Sequence, residues 1–360
     1  MGQSGSKMES HTKGNNDKFP SALTDKSGFQ SVRQTVYWLS GFLWQTLEGR
    51  LILGVGFVLG LFFIRKPYVY IGRFLKHYKG CFPGMTKKSL SVSPAMDLLE
   101  YCELEWKGMT PHADQIRKAY GEIYRVHNIR YICRVRGDNY CALRATLFQV
   151  LSNGIPFPSW MKEQDITKLP EKLFYSQGCN WIQQYSFGPE KYTGPKAFYK
   201  LRKCVDMLKF QWGDIYGLKD KKAREKACKL LFMDEASEYK MYEAVKFLML
   251  YLAIEMFEGM RHGQDVPNFC AVLFSRDTSL DPFSFMLNHL NTIGDSGGLE
   301  QIEMFLLGYT LELQIQTFRL YKYGTEEFEV SFTDVCGRDW HKITLLTEDD
   351  RHYNVPVTHQ

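Results

Sequence analysis

The chain has 360 residues, 44% of them hydrophobic and 15% aromatic, which is ample for a large core with tails besides; nine scattered cysteines without a C-x-x-C pair or zinc-finger spacing point to a reduced compartment and imply neither a structural metal nor a cofactor. The net charge of +5 is unevenly spread: residues 1–88 carry thirteen Lys/Arg against four Asp/Glu, +9, and the other 272 carry thirty-two against thirty-six, −4. A basic fringe on a body without a positive field argues against nucleic acid and for an anionic membrane surface.

Residues 1–32 are polar and read as a disordered tail, because they hold too few large apolar groups to offset the entropy of ordering. The tail opens MGQSGSK, where Gly2 and Ser6 fit the N-myristoylation pattern as well as an ordinary polar start. Residues 33–88 read as a hydrophobic membrane anchor with a basic flank. Within them Leu51 to Ile64 carry no charge, and fourteen residues at about 1.5 Å each cover only about 21 Å of a layer about 30 Å thick. The uncharged stretch Val36 to Leu47 supplies the missing length, either in one tilted helix or in a hairpin turning near Glu48-Gly49-Arg50, with Trp38 and Trp44 as interfacial anchors. Seven basic residues follow Ile64 before the first acid, Asp97, which places that side in the cytosol.

Residues 92–357 read as one α+β domain. In RGDNYCALRATLFQ, a turn at Gly137, Asp138 and Asn139 runs into Cys141 at the start of a helix that Asn153-Gly154 stops. A helix start offers unpaired N–H groups and a partial positive charge, so a thiol there is expected nearer its thiolate form. Further helices are expected at 198–212, 235–260 and 298–308, and strands at 312–322, 327–332 and 343–357. In the long helix, Tyr242, Val245, Leu248, Met249 and Leu252 form one apolar stripe, read as plain core.

Near the C-terminus stands TEDDRHYNVPV. On a strand, residues two apart share a face, so His352 and Asn354 project together. An imidazole beside a thiol, held in tautomer and orientation by an amide, is what thiolate catalysis needs, although a gap of about two hundred residues separates Cys141 from His352. Taken alone, a histidine such as His352 is more often a surface or core residue than a catalytic base.

The motifs RGDNYCALRATLFQ, LPEKL with NWI, EYKMYEAVKFLML, LFSRDTS-x-DP, NHLN, GGLEQIEMFLL, TEEF and EDDRHYN, from about Tyr101 to Val357, together resemble the OTULIN family of OTU-class deubiquitinases. The membrane segment, the loop QYSFGPEKYTG (184–194) and the C-terminus resemble its membrane-anchored OTULIN-like branch. This resemblance implies an α+β OTU-type cysteine protease fold behind a short N-terminal membrane-associated helical segment, and hydrolysis of linear, methionine-linked ubiquitin. It makes Cys141 the nucleophile, His352 the general base and Asn354 the residue that orients it. Asp138 and Asn139 match the loop whose backbone helps form the oxyanion hole, and Trp106, Val272 and Glu327 match ubiquitin contacts. Val272 replaces a larger leucine, which removes about one methylene, on the order of 1 kcal/mol. The family's acidic tyrosine-containing docking peptide and PDZ-type tail have no counterpart here. The branch also implies an alternative: an inactive ubiquitin-binding scaffold at the cytoplasmic face of the endoplasmic reticulum membrane, or at the nuclear envelope. Its characterised members are altered at the triad, whereas Cys141, His352 and Asn354 are all present.

Overall fold

Local signals start the first helices of the domain. Asp97 caps α1 (Leu98–Glu105) by accepting from the amides of Leu99 and Glu100, and Thr110 caps α2 (Pro111–Val126), whose proline sits where a missing N–H costs nothing. The computed structural model describes residues 90–177, 180–191, 196–333 and 339–358, within a compact unit spanning Met85–Gln360. The polar tail, Gly2, the hydrophobic segment 33–88, loop residues 192–194, and Cys81, Cys179 and Cys336 lie outside the described residues. No described helix is long and apolar enough to cross a membrane.

After α2 come β2 (Ile129–Cys133) and α3 (Cys141–Ser152), then short helices α4 (Ser159–Glu163), α5 (Leu169–Gln177) and α6 (Asn180–Gln184). Helices α7 (Ala197–Tyr216), α8 (Lys221–Leu231), α9 (Glu235–Arg261), α10 (Asn268–Leu273), α11 (Pro282–Asn288) and α12 (Gln301–Leu311) precede the remaining strands. The expected helices at 141–152, 198–212, 235–260 and 298–308 are therefore present as α3, α7, α9 and α12. Helix α12 starts later than expected, at a capping box between Glu300 and Glu303.

Six strands, β1 (Met96–Asp97), β2, β3 (Leu313–Arg319), β4 (Glu329–Phe332), β5 (His341–Thr347) and β6 (Tyr353–Thr358), form one sheet in the order β1-β2-β6-β5-β3-β4. Among the described residues only the β3–β5 strand pair is parallel. The architecture is of the expected α+β class.

One expectation is corrected. The stretch 343–357 is not a single strand but an antiparallel hairpin, with Leu346 opposite Asn354 and Thr347 opposite Tyr353. Its five-residue connection, Glu348 to His352, is too charged to alternate into a sheet. The Asp349 carboxylate accepts the amides of Arg351 and His352 at 2.8 and 2.6 Å and so builds a turn. His352 consequently stands one residue before β6.

The main core surrounds α3 and α9. All twelve residues of α3 are buried, and each fully buried Leu such as Leu143 or Leu147 contributes about 1.5–3 kcal/mol. A smaller core packs α1 and α2 against the sheet through Leu98, Tyr101, Ile116, Tyr120, Ile132 and Leu346.

Candidate functional site

The first residue of α3 meets the β5–β6 hairpin. Cys141 is 5% exposed, and its Sγ donates to the carbonyl oxygen of Arg351 at 3.3 Å. Burial pushes the thiol pKa up, while the backbone N–H groups of Tyr353 and Ala142 pull it back. The net direction is upward, so the expected thiolate bias is corrected: the helix-start amide acts as anticipated, but desolvation outweighs it. The other described cysteines, at 102, 133, 204, 228 and 270, are also buried free thiols. Cys133 and Cys270 are pushed up to about 11 and Cys228 to about 12, chiefly by burial. Cys141 differs from these three in having backbone donors aimed at its sulfur.

The His352 imidazole rests beside Gly137, its Nδ1 3.6 Å from where a Cβ at that glycine would stand. His352 thus lies against the loop that leads into Cys141. Asn354 is 2% exposed, and its Oδ1 accepts the Val135 amide at 2.9 Å, stitching β6 to the chain just beyond β2. Among the described residues no hydrogen bond joins the Cys141 thiol, the His352 ring and the Asn354 amide. The His352 ring and the Asn354 amide both lie against residues 135–137, which lead into Cys141, and these contacts form one seam.

Asp138 and Asn139 form the turn before Cys141. Asn139 adopts a left-handed backbone, φ 58°, which an Asn side chain tolerates, and its amide nitrogen donates to Asp295 O at 2.7 Å. The Asp138 carboxylate is held by Arg144, with one contact at 2.7 Å, and by Arg136 at 2.8 Å. Burial alone would raise its pKa, but the bonds and charge of Arg144 and then Arg136 outweigh that and hold it below the usual range. Arg144, fully buried, reaches back to Glu238 on α9 at 3.0 Å, and Tyr242 donates to the same carboxylate at 2.8 Å. Next to this network, Tyr140 donates to Glu243, which also pairs with the buried Lys246 at 2.7 Å.

Sequence reading missed Arg144, Glu238, Glu243 and Lys246 as site supports. The available signal was three charges, Glu238, Glu243 and Lys246, inside a helix whose apolar spacing demanded burial on nearly every side. They brace the loop and do not face the seam.

The three expected ubiquitin-contact residues occupy different surroundings. Trp106 caps the end of α1 and donates through Nε1 to Glu348 at 2.7 Å. Glu327 precedes β4, exposed and paired with Lys322 at 2.7 Å. Trp106 and Phe328, the neighbour of Glu327, both pack on the smaller core. Val272, on α10 in the main body, is 54% exposed.

Two other features lie apart from the seam. His289, Glu300 and Glu303 are close enough to share an ion, but Arg276 pairs with both carboxylates, at 3.3 and 2.8 Å, and supplies the positive charge itself. A cavity of ≈ 590 Å³ opens at the far end of α3, beside Phe148, Gln149 and Ser152, and is lined by none of Cys141, His352 and Asn354.

Residues 90–357 match the family model described as Peptidase family C101. Solved structures similar to this chain include one titled as a ceOTUB1 ubiquitin aldehyde UBC13~Ub complex, with 12% identity, a TM-score of 0.49, and coverage of 76% of this chain and 96% of that one. A second, an h/ceOTUB1–ubiquitin aldehyde–UBCH5B~Ub structure, has 10% identity and the same TM-score of 0.49, covering 83% of this chain and 100% of the other.

Proposed function

The chain belongs to peptidase family C101, an OTU-like family, and on that basis we propose that it is a membrane-anchored cysteine deubiquitinase acting on linear, methionine-linked ubiquitin. At the family level it is an OTU-type deubiquitinase-like protein. The observation that carries the finer reading is the seam itself: a buried thiol at a helix start, 3.3 Å from the carbonyl of the residue preceding His352.

In this reading His352 takes the Cys141 proton as the sulfur attacks the scissile carbonyl, and backbone amides of the Asp138–Asn139 turn face the developing oxyanion. His352 then gives the proton to the leaving methionine amine, and a water activated by the same imidazole releases the thioester. Asn354 holds the ring. Substrate binding must first draw the thiol from Arg351 O toward His352, since catalytic contacts tighten in the bound complex. Trp106, Glu327 and Val272 serve as ubiquitin contacts, and residues 33–88 hold the domain at the cytoplasmic face of the endoplasmic reticulum membrane or the nuclear envelope.

A second reading keeps ubiquitin binding and drops catalysis. It is favoured by the buried thiol, whose proton is directed at a carbonyl and not at an imidazole. An electrophilic linear-diubiquitin probe separates the two. The enzyme forms a Cys141-linked adduct seen as a mass shift and lost in Cys141→Ala; a folded protein that binds ubiquitin without adduct is the scaffold.

A further inference from the structure

The connection that carries His352 begins at Glu348, and the carboxylate of Glu348 gathers three donors from α1, its C-cap and α2. Trp106 Nε1 at 2.7 Å and the Tyr120 hydroxyl at 2.5 Å reach Oε1, and the Tyr101 hydroxyl reaches Oε2 at 3.2 Å. Burial and then the facing Glu348 charge push both phenols above their ordinary range, as expected beside an ionised carboxylate. A plain structural anchor for this hairpin would be satisfied by apolar packing, which Leu346 already provides. Here the tie ends instead on an indole that is only half-buried.

From Glu348 the path to the thiol is short and bonded. The next residue, Asp349, accepts the Arg351 and His352 amides at 2.8 and 2.6 Å, and the Arg351 carbonyl accepts the Cys141 thiol at 3.3 Å. A displacement of the indole therefore reaches the hairpin through one carboxylate. Interactions with an ionised partner in such a partly dehydrated setting are the strong ones.

We propose that Glu348 is a positioning residue that couples the surface at Trp106 to the placement of the His352 hairpin over Cys141. Contact of a ubiquitin with Trp106 and alignment of the general base are then two ends of one hydrogen-bonded element. The proposal rests on the reading of Cys141 and His352 as the catalytic pair.

The test is the rate of Cys141 alkylation by iodoacetamide in the full chain, read at the Cys141 peptide by mass spectrometry, with Cys141→Ala defining the background. Trp106→Phe, which keeps the ring and loses the N–H, and Glu348→Ala should each change the rate at least fivefold. The double variant should change it no more than the larger single. Glu348→Gln, which keeps a carbonyl acceptor for the indole but loses the charge, should give a rate between those of the wild type and Glu348→Ala. The midpoint of the pH–rate profile should move in Glu348→Ala, a change that a loss of global stability alone does not produce. Unchanged rates in folded variants, or effects that simply multiply, overturn the proposal. If Glu348→Ala fails to fold, Trp106→Phe and Tyr101→Phe carry the test: same-direction shifts of at least twofold support it and no shift overturns it. Failure of the wild-type protein to cleave linear diubiquitin would sink the functional reading and leave this coupling to be judged on alkylation alone.

Discussion

The Cys141 thiol donates to the backbone carbonyl of Arg351 at 3.3 Å, not to the imidazole of His352 one residue further on. Desolvation holds this thiol toward its protonated form even though the Tyr353 amide of the same hairpin pulls the other way. Alkylation of Cys141 in the free protein should therefore rise with pH through a midpoint above the ordinary thiol value of about 8.5. Bound linear diubiquitin analogue should lower that midpoint. A free-protein midpoint below 7 would contradict the arrangement. The sign carries over to stability: a raised thiol pKa contributes stability that is present below the unfolded pKa and lost as pH rises through the folded one.

Arg144 is fully buried between Asp138 and Glu238, and the Glu238 side chain is 1% exposed. Arg144→Met would leave that carboxylate without a counter-charge, with only the Tyr242 hydroxyl bonded to it, and we expect a loss of about 3–5 kcal/mol in chemical denaturation. Because the Asp138 carboxyl is held below its usual range, its share of the stability is present above the unfolded value of about 3.9 and fades as pH falls through the lower folded one. In Arg144→Met that acid-side slope should flatten; an unchanged slope would mean that Asp138 is held by Arg136 alone.

Gly294 has φ 82°, and a Cβ there would collide with the ring of Tyr140, the residue immediately before Cys141. Gly294→Ala should cost about 1–3 kcal/mol in strain and overpacking. It should also displace the turn and slow reaction with the linear-diubiquitin probe. A substitution neutral in both measurements would show that Tyr140 can yield without moving Cys141.

Asn354→Ala removes the acceptor of the buried Val135 amide, now bonded at 2.9 Å. An orphaned amide costs about 1–3 kcal/mol, readable as a fall in denaturation midpoint, and turnover should drop as well. Loss of activity with stability unchanged would place Asn354 on His352 rather than on Val135.

Several of these relationships were readable in the sequence. Cys141 stands at the helix start that the RGDNYC turn and the following apolar spacing announced, and the Asn153-Gly154 stop holds, with Gly154 at φ 66°. The hairpin was not readable as such. Period-two patterning runs through both β5 and β6, and the break depends on Asp349 folding back on the amides of Arg351 and His352. Nor could the apolar stripe of α9 reveal that Glu238, Glu243 and Lys246 are buried with it, because their partners Arg144, Tyr140 and Tyr185 come from distant segments. Glu348 looked like one of four charged residues in a loop; only tertiary packing brings Tyr101, Trp106 and Tyr120 onto it.

Residues 33–88 lie outside the described residues, and their function as an anchor is open to a direct check. Deleting them should shift the protein from the membrane to the soluble fraction in cell fractionation; retention on membranes would assign the attachment to another part of the chain.

The central claim is catalysis at Cys141, and cleavage of linear diubiquitin by the purified full chain tests it most directly. The account predicts conversion to monoubiquitin that disappears in Cys141→Ala and falls at least a hundredfold in His352→Ala, in line with the contribution of a general base. A folded wild-type protein that leaves linear diubiquitin intact would contradict it.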